Sequence, residues 1–204
     1  MGLEAYRRKV SEAKHLSILD AARETFLDCG FSRAAMADIA QKADVSTATL
    51  YKHFESKEAL FLAIITDAIE QFGDEMPTNL ANMSAEDALK QAANHYLKAQ
   101  YEGRINALLR VVIGESATNP ELGDLYYKQG VIQRNEELAD LLKQLSNQGK
   151  IKIDNPLRAA RQILGLVKEE LIWPAMFNPK HDPKADADEA ISEAVKTFLA
   201  RYGA

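Results

Sequence analysis

Cysteine is nearly missing from this chain. Cys29 stands alone among 204 residues, which excludes an intrachain disulfide and with it the small cross-linked secreted domains. Long apolar runs are missing too, and none approaches the roughly 18 residues needed to cross a bilayer. Arg7, Arg8 and Lys9 near the start are followed by no apolar segment, so the pattern is not that of a signal peptide, and a cytoplasmic protein is expected. No stretch alternates apolar and polar residues as a half-buried strand does. There is no phosphate-binding glycine loop and no HExxH pair, and His15, His53, His95 and His181 lie scattered. Asp182, Asp186 and Asp188 lack the glycine and terminal glutamate of a calcium loop. No cofactor or metal is therefore expected. A small all-helical enzyme and a protein-interaction module without DNA binding stand as the alternative readings.

What is there is helical periodicity, almost throughout. Ile18, Leu19, Ala22 and Phe26 form one apolar stripe, followed by Gly30 at a position suited to close a helix. Met36, Ile39 and Ala40 make a second stripe, Val45, Leu50 and Phe54 a third, and Leu60, Ile64 and Ala68 a fourth. Ser56 stands where a cap for the fourth helix belongs, and Ser84 with Asp87 resembles a capping box. Further helices are expected at 85–101, 105–117, 121–148 and 156–177, with a Pro-containing loop over 178–186 and a last helix at 187–202. The fold class is all-α, divided into 1–58 and 59–204. The net charge of −5 falls wholly on residues 61–204, because residues 1–60 hold nine basic and nine acidic side chains. The N-terminal segment is thus the less repelled one near a phosphate backbone.

Residues 36–54 carry the clearest functional pattern. Two short helices flank Ala43–Ser46, a corner of the length a helix-turn-helix uses. Ala40 is small where the helices must cross closely, Val45 can plug the space between them, and Ser46 can cap the second helix. Thr47, Thr49, Tyr51, Lys52 and His53 then project from a helix whose inner face is Leu50 and Phe54. Such a polar outer face can donate to phosphates and base edges. On spacing alone, a helical hairpin within a larger bundle fits equally well.

The stretch Ile18–Ile64, and above all "DVSTATLYKHFESKEALF", resembles the signature of the TetR family of repressors. Residues 120–177 are similar, more loosely, to the C-terminal domain of its AcrR-like branch. The resemblance implies a three-helix DNA-binding head followed by a helical ligand-binding and dimerisation domain. It implies that Thr47 reads bases and that Thr49, Tyr51, His53 and Lys57 hold phosphates, the last helped by the free amides of a helix start. Two departures stand out. Ala34 and Ala35 occupy the place of a usual Thr or Ser cap, for which Ser32 is the nearest substitute. Asp44 occupies the place of a turn glycine, and aspartate tolerates the left-handed region better than most residues.

By the same resemblance the chain is a ligand-responsive repressor that binds palindromic operator DNA as a homodimer and is released by a small apolar or aromatic effector. Phe72, Met76, Tyr96, Arg110, Tyr126 and Trp173 are the residues expected to meet that effector; Arg110 could face an acidic group of it, pair with Glu115 or face water. Helices 156–172 and 187–202 are expected to pair with their copies. Their stripes Ile163, Val167, Leu171 and Ile191, Val195, Phe198 supply the seam, and Ala159, Ala160 and Gly165 permit close approach. The same stripes could instead close the monomer's own core. Two recognition helices one DNA turn, about 34 Å, apart require a dimer.

Overall fold

A computed structural model describes residues 3–71, 76–102, 104–183 and 186–204. Among them there is no strand; one isolated bridge joins Ile151 to Gly203. The helices are α1 (Leu3–Cys29), α2 (Met36–Lys42), α3 (Thr47–His53), α4 (Lys57–Glu70), α5 (Ala85–Tyr101), α6 (Ile105–Glu115), α7 (Pro120–Tyr126), α8 (Gln133–Asn147), α9 (Pro156–Leu171), α10 (Trp173–Phe177) and α11 (Ala187–Tyr202). Their ends follow local chemistry. Gly30 closes α1 at φ +82° with its amide on the Phe26 carbonyl. Ser56 Oγ accepts from Ala59 N, Ser84 Oγ from Asp87 N, and Asn155 Oδ1 from Arg158 N, ahead of Pro156 at the first helical position.

Two of the helices expected from sequence are broken. The span 121–148 begins at Pro120 and loosens into a π-helical turn over Tyr127–Ile132, around Gly130, where a residue of weak helix propensity lets the ladder open. The span 156–177 breaks at Ile172 because Pro174 has no amide to donate and crowds the preceding turn.

The chain forms two compact units. The first comprises Met1–Asp67 with Leu108–Tyr126, the second Ala68–Ala107 with Tyr127–Ala204. The first unit thus extends past residue 58 and takes in most of α6 and all of α7. Its core holds the stripes read from sequence, with Ile18, Leu19, Phe26, Ile39, Leu50, Leu60 and Ile64 buried. At its centre Phe26, Phe31 and Phe61 pack with ring centroids 5.2–5.5 Å apart, the pairs involving Phe61 edge to face, a geometry that adds to their burial energy.

In the second unit α5, α8, α9 and α11 surround a single core. Here the structure corrects the reading of the dimer seam. Ile163, Val167, Leu171, Ile191, Val195 and Phe198 are all nearly fully buried within this one chain, and so are Ala159 and Ala160. They let α9 approach its own neighbours closely. Only Gly165, with open space where a side chain would stand, faces outward. A charge at Val195, which has no exposed surface, is therefore expected to unfold the second unit rather than release folded monomers. Circular dichroism beside sedimentation of Val195→Asp checks this, and a folded monomer is the contrary result.

Candidate nucleic-acid interface and ligand cavity

The corner between α2 and α3 is set by backbone geometry. Asp44 adopts φ +54°. Its amide donates to Gln41 O at 3.1 Å and the Val45 amide to Ala40 O at 3.0 Å, the paired bonds of a Schellman motif. The aspartate that replaces a turn glycine thus takes the glycine conformation. The chain then leaves at a fixed angle, with Val45 half-buried and Ser17 Oγ holding the Ala43 carbonyl at 2.9 Å from α1. Ser46 caps α3, accepting from Thr49 N at 3.1 Å and sharing a hydrogen bond with Thr49 Oγ1 at 2.8 Å.

The sequence-derived contacts sort by exposure. Thr47, Tyr51 and Lys52 are exposed on the outer face of α3, Tyr51 with half of its surface free, while Leu50 and Phe54 are buried beneath. Thr49 and His53 are half-buried. The His53 ring lies 5.8 Å from that of His15, which stacks on Phe54 at 4.9 Å. Burial first, then the neighbouring His15, Lys52 and Lys14, hold His53 below the usual histidine range.

Lys57 is not a freely extended cation. Its ammonium donates to Ser32 O at 3.2 Å and Ala34 O at 3.1 Å, and sits 4.6 Å from the centre of the Phe31 ring. Ser32 does not cap α2. Its amide donates to Glu115 Oε1 at 2.9 Å and its hydroxyl to Glu115 Oε2, and these bonds hold the Glu115 carboxyl below the usual range. The N-cap, Ala35, offers no side-chain bond. The loop before α2 is thus held by Lys57 from α4 and Glu115 from α6. Neither bond is visible in sequence, because the partners lie 25 and 83 positions away.

The expected effector contacts do not gather at one place. Met76 and Tyr96 line a cavity of about 20 Å³ in the second unit, together with His95, Arg134, Leu138 and Leu164. Trp173, half exposed, stacks on the largely exposed Phe177 at 6.3 Å and lines no part of it. Arg110 and Tyr126 belong to the first unit. Phe72 lies outside the described residues. His95 is buried and lines the cavity. Arg134, which also lines it, gives no signal in the sequence, where it is a lone arginine in a polar helix start.

Comparison with known proteins agrees with this geometry. Residues 18–64 match the family described as bacterial regulatory proteins, tetR family, and residues 87–204 match the AefR-like transcriptional repressor, C-terminal domain. The chain is 29% identical over 150 residues to the HTH-type transcriptional regulator UidR of Escherichia coli strain K12, covering 73% of this chain and 75% of that protein. Among solved structures it is similar to the flavonoid-responsive regulator FrrA, at 33% identity and TM-score 0.73, over 93% of this chain and 97% of that one. It is similar also to a TetR transcriptional regulator from Agrobacterium tumefaciens, at 25% identity and TM-score 0.76, over 93% and 94%. These relatives are regulators rather than enzymes, and no helix among the described residues is long and apolar enough to cross a membrane.

Removing the α3 cap is expected to cost about 0.5–2 kcal/mol; thermal denaturation of Ser46→Ala reads it, and an unchanged midpoint would contradict it. Because His53 is held below its unfolded value, the unfolded chain takes up its proton first. Stability is then complete above the ordinary histidine range and declines as pH falls through it. Denaturation midpoints of wild type and His53→Gln between neutral and mildly acid pH should converge on acidification. With the Schellman corner and the exposed face of α3 in place, and with the two family models together spanning most of its length, this chain belongs to the TetR family of bacterial transcriptional regulators.

Proposed function

We propose that this regulator is a cytoplasmic repressor that binds a palindromic operator as a homodimer through α3 and is released by a small apolar or aromatic effector. The observation that carries the reading is the exposed set Thr47, Tyr51 and Lys52 on a helix whose opposite side is locked by Leu50 and Phe54. A recognition helix needs one rigid apolar side and one polar side turned to the groove. Residues 1–58 then act as the DNA-binding head. Thr47 reads a base edge, while Thr49, Tyr51, Lys52, His53 and Lys57 meet phosphates. Lys57 keeps one N–H for that purpose after its two carbonyl bonds.

The dimer pairs residues 156–172 and 187–202, but through their outward side. Gly165, Leu166, Thr197 and Arg201 line a groove between α9 and α11, with Leu166 partly exposed. A mixed surface with an exposed leucine in that position suits a second copy of the chain. The effector class is supported by the apolar walls around Met76 and Tyr96. The name of FrrA, a flavonoid-responsive protein, makes a flavonoid the first compound to try. The affinity of residues 120–177 for the AcrR-like branch remains part of this proposal, beside the match to the AefR-like domain.

Fluorescence anisotropy with promoter fragments tests the reading. Lys57→Met should weaken binding on all sequences and lower the salt slope by about one, as loss of one phosphate contact does. Tyr51→Phe should weaken binding evenly with little change in slope, and Thr47→Ala should alter base preference. Absence of any specific binding to the DNA flanking its own gene would overturn the proposal.

A further inference from the structure

We propose that the His15–His53 pair between α1 and α3 makes operator binding sensitive to pH: the pair takes up a proton as DNA is bound, and the grip tightens as pH falls through the histidine range. The inference rests on the DNA-binding reading above and adds a condition to it. The two rings lie 5.8 Å apart, and His15 also stacks on Phe54 at 4.9 Å, so α1 holds one imidazole against the end of the recognition helix. Both histidines are half-buried. They line one open hollow together with Ser11, Glu12 and Leu16, which are exposed. His53 follows directly on Tyr51 and Lys52, the exposed side chains proposed above to meet phosphates. The pair therefore sits where the charge of the backbone arrives, on a surface that water and protons reach.

The groups around His53 decide the sign. From α1 they are Glu12, Lys14 and His15, and from α3 itself Lys52. Glu55, past the end of α3, and Asp38 on α2 are exposed, and Lys42 on α2 is turned to Glu24 and Asp28 instead. Burial first, then His15, Lys52 and Lys14, oppose the proton on His53 in the free protein. A phosphate at the outer face of α3 reverses that balance. It is a counter-charge for an imidazolium, and an imidazolium, unlike neutral imidazole, donates from both ring nitrogens. The bound protein thus holds more protons than the free one. By linkage its affinity must then rise as pH falls. Two imidazolium rings at this separation repel each other, so the pair accepts one proton and resists a second. His15 thereby sets the pH at which His53 responds.

The test is fluorescence anisotropy of the full-length protein on its promoter fragment between pH 8 and pH 6 at constant ionic strength, with circular dichroism to confirm the fold at each pH. Affinity of the wild type should rise roughly three- to tenfold over that range, as uptake of up to one proton allows. Calorimetry at pH 7 in phosphate and in Tris, which differ in heat of ionisation, should count that uptake directly. His15→Gln removes the like charge and should move the rise to higher pH, while His53→Gln should flatten it whatever it does to affinity. A wild-type affinity that is level across the range, or heats that show no proton taken up, overturns the inference even if a variant does not fold. A rise of unchanged size and midpoint in both variants overturns it as well. Specific binding with a level profile counts against the inference alone, whereas no binding at any pH overturns the DNA-binding reading and the inference with it.

Discussion

The left-handed turn at Asp44 is the constraint on which the DNA-binding head depends. With φ at +54° and paired bonds from Asp44 N and Val45 N back into α2, the chain can leave α2 in one direction only. The orientation of α3 follows, then the burial of Leu50 and Phe54, then the outward display of Thr47, Tyr51 and Lys52. Had the residue been β-branched, the same φ would have been strained. An aspartate bears it at modest cost, and it leaves a negative charge beside a surface that must approach phosphates. The head therefore keeps its geometry at some expense in electrostatics, which the cations Lys52 and Lys57 oppose.

Local chemistry was legible in the sequence wherever its cause was local. Serines and asparagine at helix starts, glycine at the end of α1, and the four-residue corner all appear where side-chain type and spacing place them. The exposed and buried sides of α3 follow from the same period. What could not be read was long-range. The loop before α2 lacks the cap that its alanines cannot supply, and it is held by Lys57 and Glu115 from distant parts of the chain. Ser32, the nearest substitute by position, is used for that clasp and not as a cap. The breaks at Ile172 and over Tyr127–Ile132 were marked by Pro174 and Gly130, residues whose effect on a helix depends on what else holds the ladder together.

The stripes on α9 and α11 show a different limit. An apolar period states that a helix face is buried and is silent about what buries it. Val195 and Phe198 have the spacing of an interface and the burial of a monomer core. The distinction lies in the opposite faces of the same helices. There Gly165, Leu166, Thr197 and Arg201 form a mixed surface, less conspicuous in sequence because glycine, threonine and arginine are ordinary exposed residues.

The same logic accounts for why aromatic content was a weak guide to the ligand cavity. Trp173 and Tyr96 are equal in chemistry at the level of sequence, yet one stacks on an exposed ring and the other is buried beneath an ammonium. Apolar groups are abundant, and burying another is routine. A buried cation is rarer, and Arg134, with its side chain 10% exposed, lies beside the carboxylate of Glu137 at 4.0 Å. Ring size in the sequence therefore does not tell a cavity wall from an ordinary buried or exposed aromatic, and only the packing around each ring does.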